Sequence, residues 1–410
     1  MIAYHFPPLA GSSGIQRTLR FVQHLPALGW QPLVLTTHPR AYERTGADLS
    51  RDVPPDTVVR RAFALDTARH LSLRGRYVSA LARPDRWVSW KFDAVRVGLQ
   101  MIREFKPDAL WSTYPIATAH LIGAELHRRS GVPWIADFRD PMAQDGYPAD
   151  PRTWRAYEAI EKHAVEHATH SVFTTPGAAG TYRTRYPASA SRIEIIENGY
   201  DEESFATAEA EQPVVKPLVP GVITLLHSGI VYPDERDPTH LMMALKKWRD
   251  RAEFGAGTFR IRFRAAVHDD LVNDLARQHG VQDLIETVPA IPYREALHEM
   301  RCADGLLVMQ ASNCNTQIPG KLYEYLRADR PILCLADPQG DTANLVRQSG
   351  VDTIAALNSV ESISDALPAF VRLISTGSAP RPELAFVRNA SRHGRTQALA
   401  QLMNGLPRTP

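Results

Sequence analysis

Short runs of β-branched and apolar residues alternate along the chain with longer stretches of helical periodicity. That alternation predicts an α/β fold with parallel sheets. In the first half the strand candidates are residues 31–36, 109–113, 134–137, 171–174 and 193–196, with helices expected at 116–130 and 152–168. Residues 1–6 read as a further strand at the very start, either a shortened one or one whose true start codon lies upstream. The second half restarts the pattern. Strands are expected at 222–226, 259–265, 284–288, 305–309 and 332–335, and helices at 238–251, 271–279, 293–301 and 320–327. Residues 206–220, rich in Ala, Glu and Pro, read as a linker between the halves. Two doubly wound domains in tandem would leave a cleft, and ligands of such sheets bind beyond the carboxyl ends of the strands.

Composition changes this picture little. The 410 residues suffice for two cores, and 44% hydrophobic with 22% charged residues is ordinary for a globular chain. A net charge of +2 gives no support to nucleic-acid binding as the main activity. Cys302, Cys314 and Cys334 lack metal-ligand spacing, and an odd count does not make a disulfide framework, so a reducing cytosol is expected. No apolar run approaches the roughly 20 residues that span a bilayer, and the N-terminus lacks a signal-peptide pattern. Charge is uneven, however. Residues 60–103 hold ten basic and three acidic residues, with Trp87, Trp90 and Phe92 among them. Such a segment suits an anionic membrane surface, with Arg74, Arg76 and Arg83 as candidate contacts. The plainer alternative is a solvated helix face with a few core aromatics.

The residues that carry chemistry fall at strand ends. Residues 7–14 include Gly11, Ser12, Ser13 and Gly14 and lead into a helix; small residues there let backbone N–H groups approach an anion, and Arg17 adds a cation. Gly229 follows a strand and allows close approach of a diphosphate, which Arg236 can pair bidentately. The plain reading of Arg236 is an ion pair with Glu235 or Asp237. The third element is the most specific. Gln317, Ile318, Pro319 and Gly320 run into a helix with Lys321 in its first turn, where a cation opposes the helix dipole unless an anion is bound there. Glu324 lies on roughly the same face and can accept two bonds from vicinal hydroxyls, as in a ribose. An exposed Lys–Glu pair is the alternative. His163, His167 and His170 lack supporting ligands and read as a polar helix face.

The stretch KLYEYLRADRPIL from Lys321 resembles the donor-site signature of retaining GT-B glycosyltransferases of family 4. YHFPPLAGSSGIQR, PWIADFRDP, IENGYD and the HSG and ERDP elements fit the same family in the same order. The resemblance implies two Rossmann-like domains facing across a cleft. It implies an acceptor-side domain at 1–205, a donor-binding domain at 221–383, and a C-terminal helix at 384–410 crossing back to the first domain. It places Arg236 and Lys321 on the donor diphosphate, Glu324 on the ribose, and the backbone of Ile318, Pro319 and Gly320 toward the diphosphate or sugar, with Leu322 also on the donor side. The loop holding Pro292 would lie near the base. Gln317 stands where the family's Glu-x7-Glu pattern has its first acid, a departure that touches the sugar contact.

Together these residues imply a reaction class. Two cations at the diphosphate stabilise the leaving group of a glycosyl transfer without a metal or other cofactor. The chain contains no Asp-x-Asp clamp. The expected donor is a nucleoside diphosphate sugar with UDP as carrier, and the resemblance implies retention. The acceptor is a hydroxyl of a glycan, a lipid-linked glycan or a small natural product. Cytoplasmic action, at the inner face of the membrane where the acceptor is lipid-linked, completes the expectation. Asp140 is the candidate for orienting the acceptor hydroxyl or stabilising charge at the reacting carbon, with a salt-bridged turn as its alternative. Asp137 reads as structural first. Arg17, Tyr114, His120, Asp137 and Arg139 complete the acceptor-side set. The rivals are a GT-B-type nucleotide-sugar epimerase and a non-catalytic nucleotide-sugar binding protein. A dinucleotide-dependent oxidoreductase is disfavoured by the absence of G-x-G-x-x-G with its distal acid.

Overall fold

A computed structural model describes residues 1–12, 14–251 and 257–407. The chain divides into two compact units: Met1–Glu197 together with the chain from Arg392 onward, and Asn198–Ser391.

The first unit is built on parallel strands β1 (Leu33–Thr37), β2 (Val58–Ala62), β3 (Leu110–Thr113), β4 (Trp134–Arg139), β5 (His170–Phe173) and β6 (Ile193–Ile195). The segment expected as an opening strand is reduced to bridges. Ile2 pairs in parallel with both Leu35 and Ser112, which inserts it between β1 and β3. The order β2-β1-Ile2-β3-β4-β5-β6 is doubly wound, and its switch point falls beside Ile2. All six residues of β4 are buried, as expected of a parallel strand covered on both faces. β2 has no counterpart among the expected strands, because Arg60 and Arg61 interrupt its apolar run. The helix Gly14–His24 packs against the helix Arg392–Asn404. Leu399, Ala400 and Met403 join Phe21, Trp111 and Ile135 in one apolar cluster.

The second unit holds β7 (Ile223–Ser228), β8 (Phe259–Arg264), β9 (Ile285–Val288), β10 (Gly305–Gln310), β11 (Ile332–Ala336) and β12 (Ile354–Ala355). They lie in the order β12-β11-β10-β7-β8-β9, all parallel, with the switch point between β7 and β10. Leu225 and Leu307 face one apolar cluster, Leu226, Leu306 and Val308 the other.

Two boundaries differ from those expected. The first six residues of the segment read as a linker close the helix Glu202–Glu211. Its Ala and Glu residues are good helix formers, Phe205 and Ala208 are buried in the second unit, and Arg327 bonds both Glu202 and Glu209. The expected C-terminal helix is two: Leu384–Asn389 lies in the second unit and Arg392–Asn404 in the first.

Candidate active site

In the second unit the two loops that flank the switch point, after β7 and after β10, carry the donor-side candidates. They are tied together: the Ala311 N–H donates to the Glu235 carbonyl (2.7 Å) and the Asn313 amide to the Asp234 carbonyl (3.1 Å). The Ser228 N–H donates to the Tyr325 hydroxyl at 2.7 Å, so the helix Lys321–Arg327 is fixed against the end of β7.

Lys321 reaches back across this junction. Its ammonium lies 2.8 Å from Nε2 of His227, a buried residue whose Nδ1 is 3.0 Å from the Leu307 carbonyl. Nδ1–H therefore donates to the carbonyl and Nε2 accepts from the ammonium, an assignment made from the bonding pattern. Burial, then the Arg236 guanidinium, holds Lys321 well below the usual lysine range, while Glu324 opposes the shift. Burial, then Lys321 and Arg236, holds His227 well below its ordinary value. Arg236 donates to the Ile230 carbonyl at 2.8 Å and lies over the Tyr232 ring. Its expected pairing with Glu235 or Asp237 is not found among the described residues; Asp237 instead accepts from the N–H (2.9 Å) and hydroxyl (2.6 Å) of Thr239. Neither Lys321 nor Arg236 is in an ion pair among the described residues. Gly229, at φ 108°, lies against this ammonium: a Cβ there would be 3.2 Å from Lys321 Nζ. Two basic groups held here without carboxylate contact can both bond a multiply charged anion.

Glu324 accepts a 2.8 Å bond from the Tyr293 hydroxyl, so one oxygen is oriented. Tyr293 begins the helix Tyr293–Cys302, directly after Pro292. Gln317 is partly buried; its N–H donates to Cys314 (2.9 Å) and its carbonyl accepts from the Thr342 hydroxyl (3.0 Å). Ile318 and Pro319 are buried and Gly320 is exposed. Leu322 departs from the expected donor contact: its side chain is core and its N–H donates to Pro319 at 2.9 Å.

The first unit presents the acceptor-side candidates differently. Arg17 is a buried fixture, bonded to Asp137 at 2.8 Å and to the carbonyls of Ile196 (2.8 Å) and Glu197 (3.1 Å). Asp137 also accepts from the Thr113 hydroxyl at 2.8 Å. Both residues hold strand ends together: Arg17, expected on the acceptor side, makes structural bonds instead, and Asp137 is bound as its structural reading has it. The pairing of β4 with β5 shifts register between Asp137 and Arg139, and Arg139 takes φ 62°. Arg139 donates to the Thr113 hydroxyl (2.9 Å) and the Gly14 carbonyl (3.0 Å), and burial brings it down to about 10. The bulge leaves the next residue, Asp140, exposed at the strand end. Burial, then the neighbouring Tyr157, Tyr147 and Asp140, pushes the Tyr114 hydroxyl up.

His120 is corrected too. Its Nδ1 shares a 2.8 Å bond with the Ser112 hydroxyl, its ring lies 4.8 Å from Phe138, and burial brings it down to about 4. It is a neutral core residue. In the glycine-rich turn, Gly11 is exposed at φ 78° and Ser13 lies outside the described residues. Ser12 accepts from the Gly14 N–H at 3.2 Å and contacts His5 at 3.3 Å. Gly14 is required by packing, since a Cβ would sit 2.3 Å from His5 Nδ1. The three cysteines are free and buried. No helix among the described residues is long and apolar enough to cross a membrane.

Residues 13–199 match the family model of the glycosyl transferase 4-like domain. No curated protein matches the chain. Similar solved structures include a glycosyltransferase from Rickettsia africae ESF-5, at 11% identity over 98% of this chain and 96% of that one, TM-score 0.64. HepE of Anabaena, in complex with UDP and glucose, is 12% identical over 97% of this chain and 98% of its own, TM-score 0.63. The E. coli trehalose-6-phosphate structure bound with UDP-2-fluoro glucose is 11% identical over 100% of this chain and 99% of its own, TM-score 0.65. The chain has the GT-B fold of these structures, with two units built on parallel sheets. The stretch that matches the glycosyl transferase 4-like domain lies almost wholly in the first unit.

Proposed function

We propose that the protein transfers a sugar from a nucleoside diphosphate sugar, with UDP as carrier, to a hydroxyl acceptor, with retention and without metal. The observation that carries this is Lys321, held against His227 and Gly229 without a carboxylate and depressed by burial and then by the nearby Arg236 guanidinium, at the switch point of the second unit. The complexes of HepE with UDP and glucose, and of the E. coli protein with UDP-2-fluoro glucose, support a donor of this class.

In this reading Lys321 and Arg236 hold the diphosphate, and Glu324, oriented by Tyr293, holds the ribose hydroxyls. The backbone of residues 318–320 faces the diphosphate or sugar, and Gln317 donates or accepts one bond to the sugar. As the bond from the anomeric carbon to phosphate oxygen breaks, its electron pair goes to the diphosphate, where both cations gain interaction. The acceptor oxygen bonds the anomeric carbon on the same face and its proton passes to the leaving phosphate oxygen. Asp140 orients the acceptor hydroxyl. The acceptor is a glycan, a lipid-linked glycan or a natural product, met in the cytoplasm.

The test is transfer from a panel of UDP-sugars in EDTA, with the product's anomeric configuration read by NMR. Retained configuration and UDP release support the proposal. Activity that needs Mn²⁺ contradicts the metal-free reading, and a changed sugar still on UDP without acceptor identifies an epimerase instead.

A further inference from the structure

The basic segment at 60–103 separates into parts once folded. Trp90 is fully buried and Trp87, partly buried, packs 4.6 Å from Tyr4, whereas Phe92 stays exposed. Arg60 pairs with Glu104 (3.4 Å) and Arg83 with Asp150 (3.8 Å), while Arg86 pairs with Glu43 and Asp66. Most of the segment's exposed large apolar side chains gather in one turn. The N–H of Leu73 donates to the Arg76 carbonyl (2.8 Å) and that of Arg76 to the Leu73 carbonyl (3.1 Å). Between them Arg74 and Gly75 both take positive φ, 51° and 76°, the signature of a tight two-residue hairpin turn. Its base is anchored: the buried Thr67 donates through its hydroxyl to the Leu81 carbonyl (2.8 Å) and through its N–H to the Arg86 carbonyl (2.9 Å).

The tip is apolar and basic at once. Leu73 is 80% exposed and Val78 64%, and Leu71, Tyr77 and Leu81 are also exposed. A soluble protein rarely leaves so many large apolar side chains in water within a dozen residues unless something covers them. Residues 71–83 contain no acidic residue, and Arg74 and Arg76 form no ion pair among the described residues. A symmetric contact with a second copy would set these arginines against their own equivalents and leave the charge uncompensated. An anionic bilayer satisfies both features, since apolar side chains enter the acyl boundary while arginines meet lipid phosphates. We infer that the 71–81 hairpin is a docking element for an anionic lipid surface. This rests on the surface alone and does not depend on the donor-site reading.

The experiment is co-sedimentation of the full chain with vesicles of phosphatidylcholine, with and without phosphatidylglycerol. Wild type should bind only the anionic vesicles, and less as salt rises. Arg74→Glu with Arg76→Glu, and separately Leu73→Ser with Val78→Ser, should each reduce binding by at least about tenfold. All four positions are exposed, so UDP binding and melting temperature should stay unchanged, which separates this claim from the catalytic one. Equal binding by wild type and both variants would overturn the inference. So would a wild-type dimer in solution that Leu73→Ser with Val78→Ser makes monomeric, since a second copy would then be the occupant.

Discussion

The Lys321 ammonium lies 2.8 Å from His227 Nε2, and the imidazole's other nitrogen is committed to the Leu307 carbonyl. The lysine is thus held by a neutral partner that leaves its charge uncompensated, in surroundings that already depress it. A bound diphosphate would favour the charged form and raise the lysine again. Above the free-state pKa of Lys321, binding should take up a proton, and nucleoside diphosphate affinity should fall as pH rises. Calorimetry in two buffers of different ionisation enthalpy measures this uptake. Lys321→Met should weaken binding by about 10- to 100-fold, the value of a charge-assisted bond, and abolish the uptake. Uptake that persists in the variant would assign the proton elsewhere.

Gly229 should not tolerate a side chain. At φ 108°, with Lys321 Nζ 3.2 Å from the Cβ position, Gly229→Ala combines backbone strain with displacement of the ammonium. The expected cost is about 1–2 kcal/mol of stability, read as a lower melting temperature, together with weaker nucleotide binding. A variant with unchanged binding would show that the lysine need not stand where it does.

Tyr293→Phe removes the bond that orients Glu324. Affinity for UDP should drop about 3- to 10-fold, the value of one neutral hydrogen bond, while inorganic diphosphate binds as before. A matching loss for inorganic diphosphate would place Tyr293 at the phosphates rather than the ribose.

His120 makes a prediction about acid stability. Its folded-state value is about 4 against 6.5 unfolded, so its contribution is complete above pH 6.5 and is lost as pH falls toward 4. At full extent the term is about 3 kcal/mol. Between pH 7 and pH 5, urea unfolding of His120→Gln should lose about 2 kcal/mol less than wild type does. Parallel losses would mean that His120 is not buried neutral.

Much of this was legible before folding because parallel strands buried on both faces are short continuous apolar runs. β4 and β10 read in this way, and β2, broken by Arg60 and Arg61, did not. Lys321 and Glu324 were visible because helical spacing and an unfavourable dipole position are local facts. Their supports were not. His227 ends a buried strand and reads as core, and Tyr293 lies 31 residues from the carboxylate it orients. Arg17 and Asp137 are 120 residues apart, and no local pattern announces that they satisfy each other. Gly14 was read as room for an anion, whereas its missing Cβ makes room for His5. Composition misled at residues 206–211, where Ala and Glu serve a docked helix as well as a linker.

The central claim, a nucleoside diphosphate site at Arg236, Lys321 and Glu324, is tested most directly by titrating UDP, GDP, ADP and NAD without metal into wild type and Glu324→Ala. The account predicts binding of a nucleoside diphosphate, UDP foremost, and its weakening by the substitution. Binding of NAD alone, or nucleoside diphosphate binding indifferent to Glu324, would contradict it.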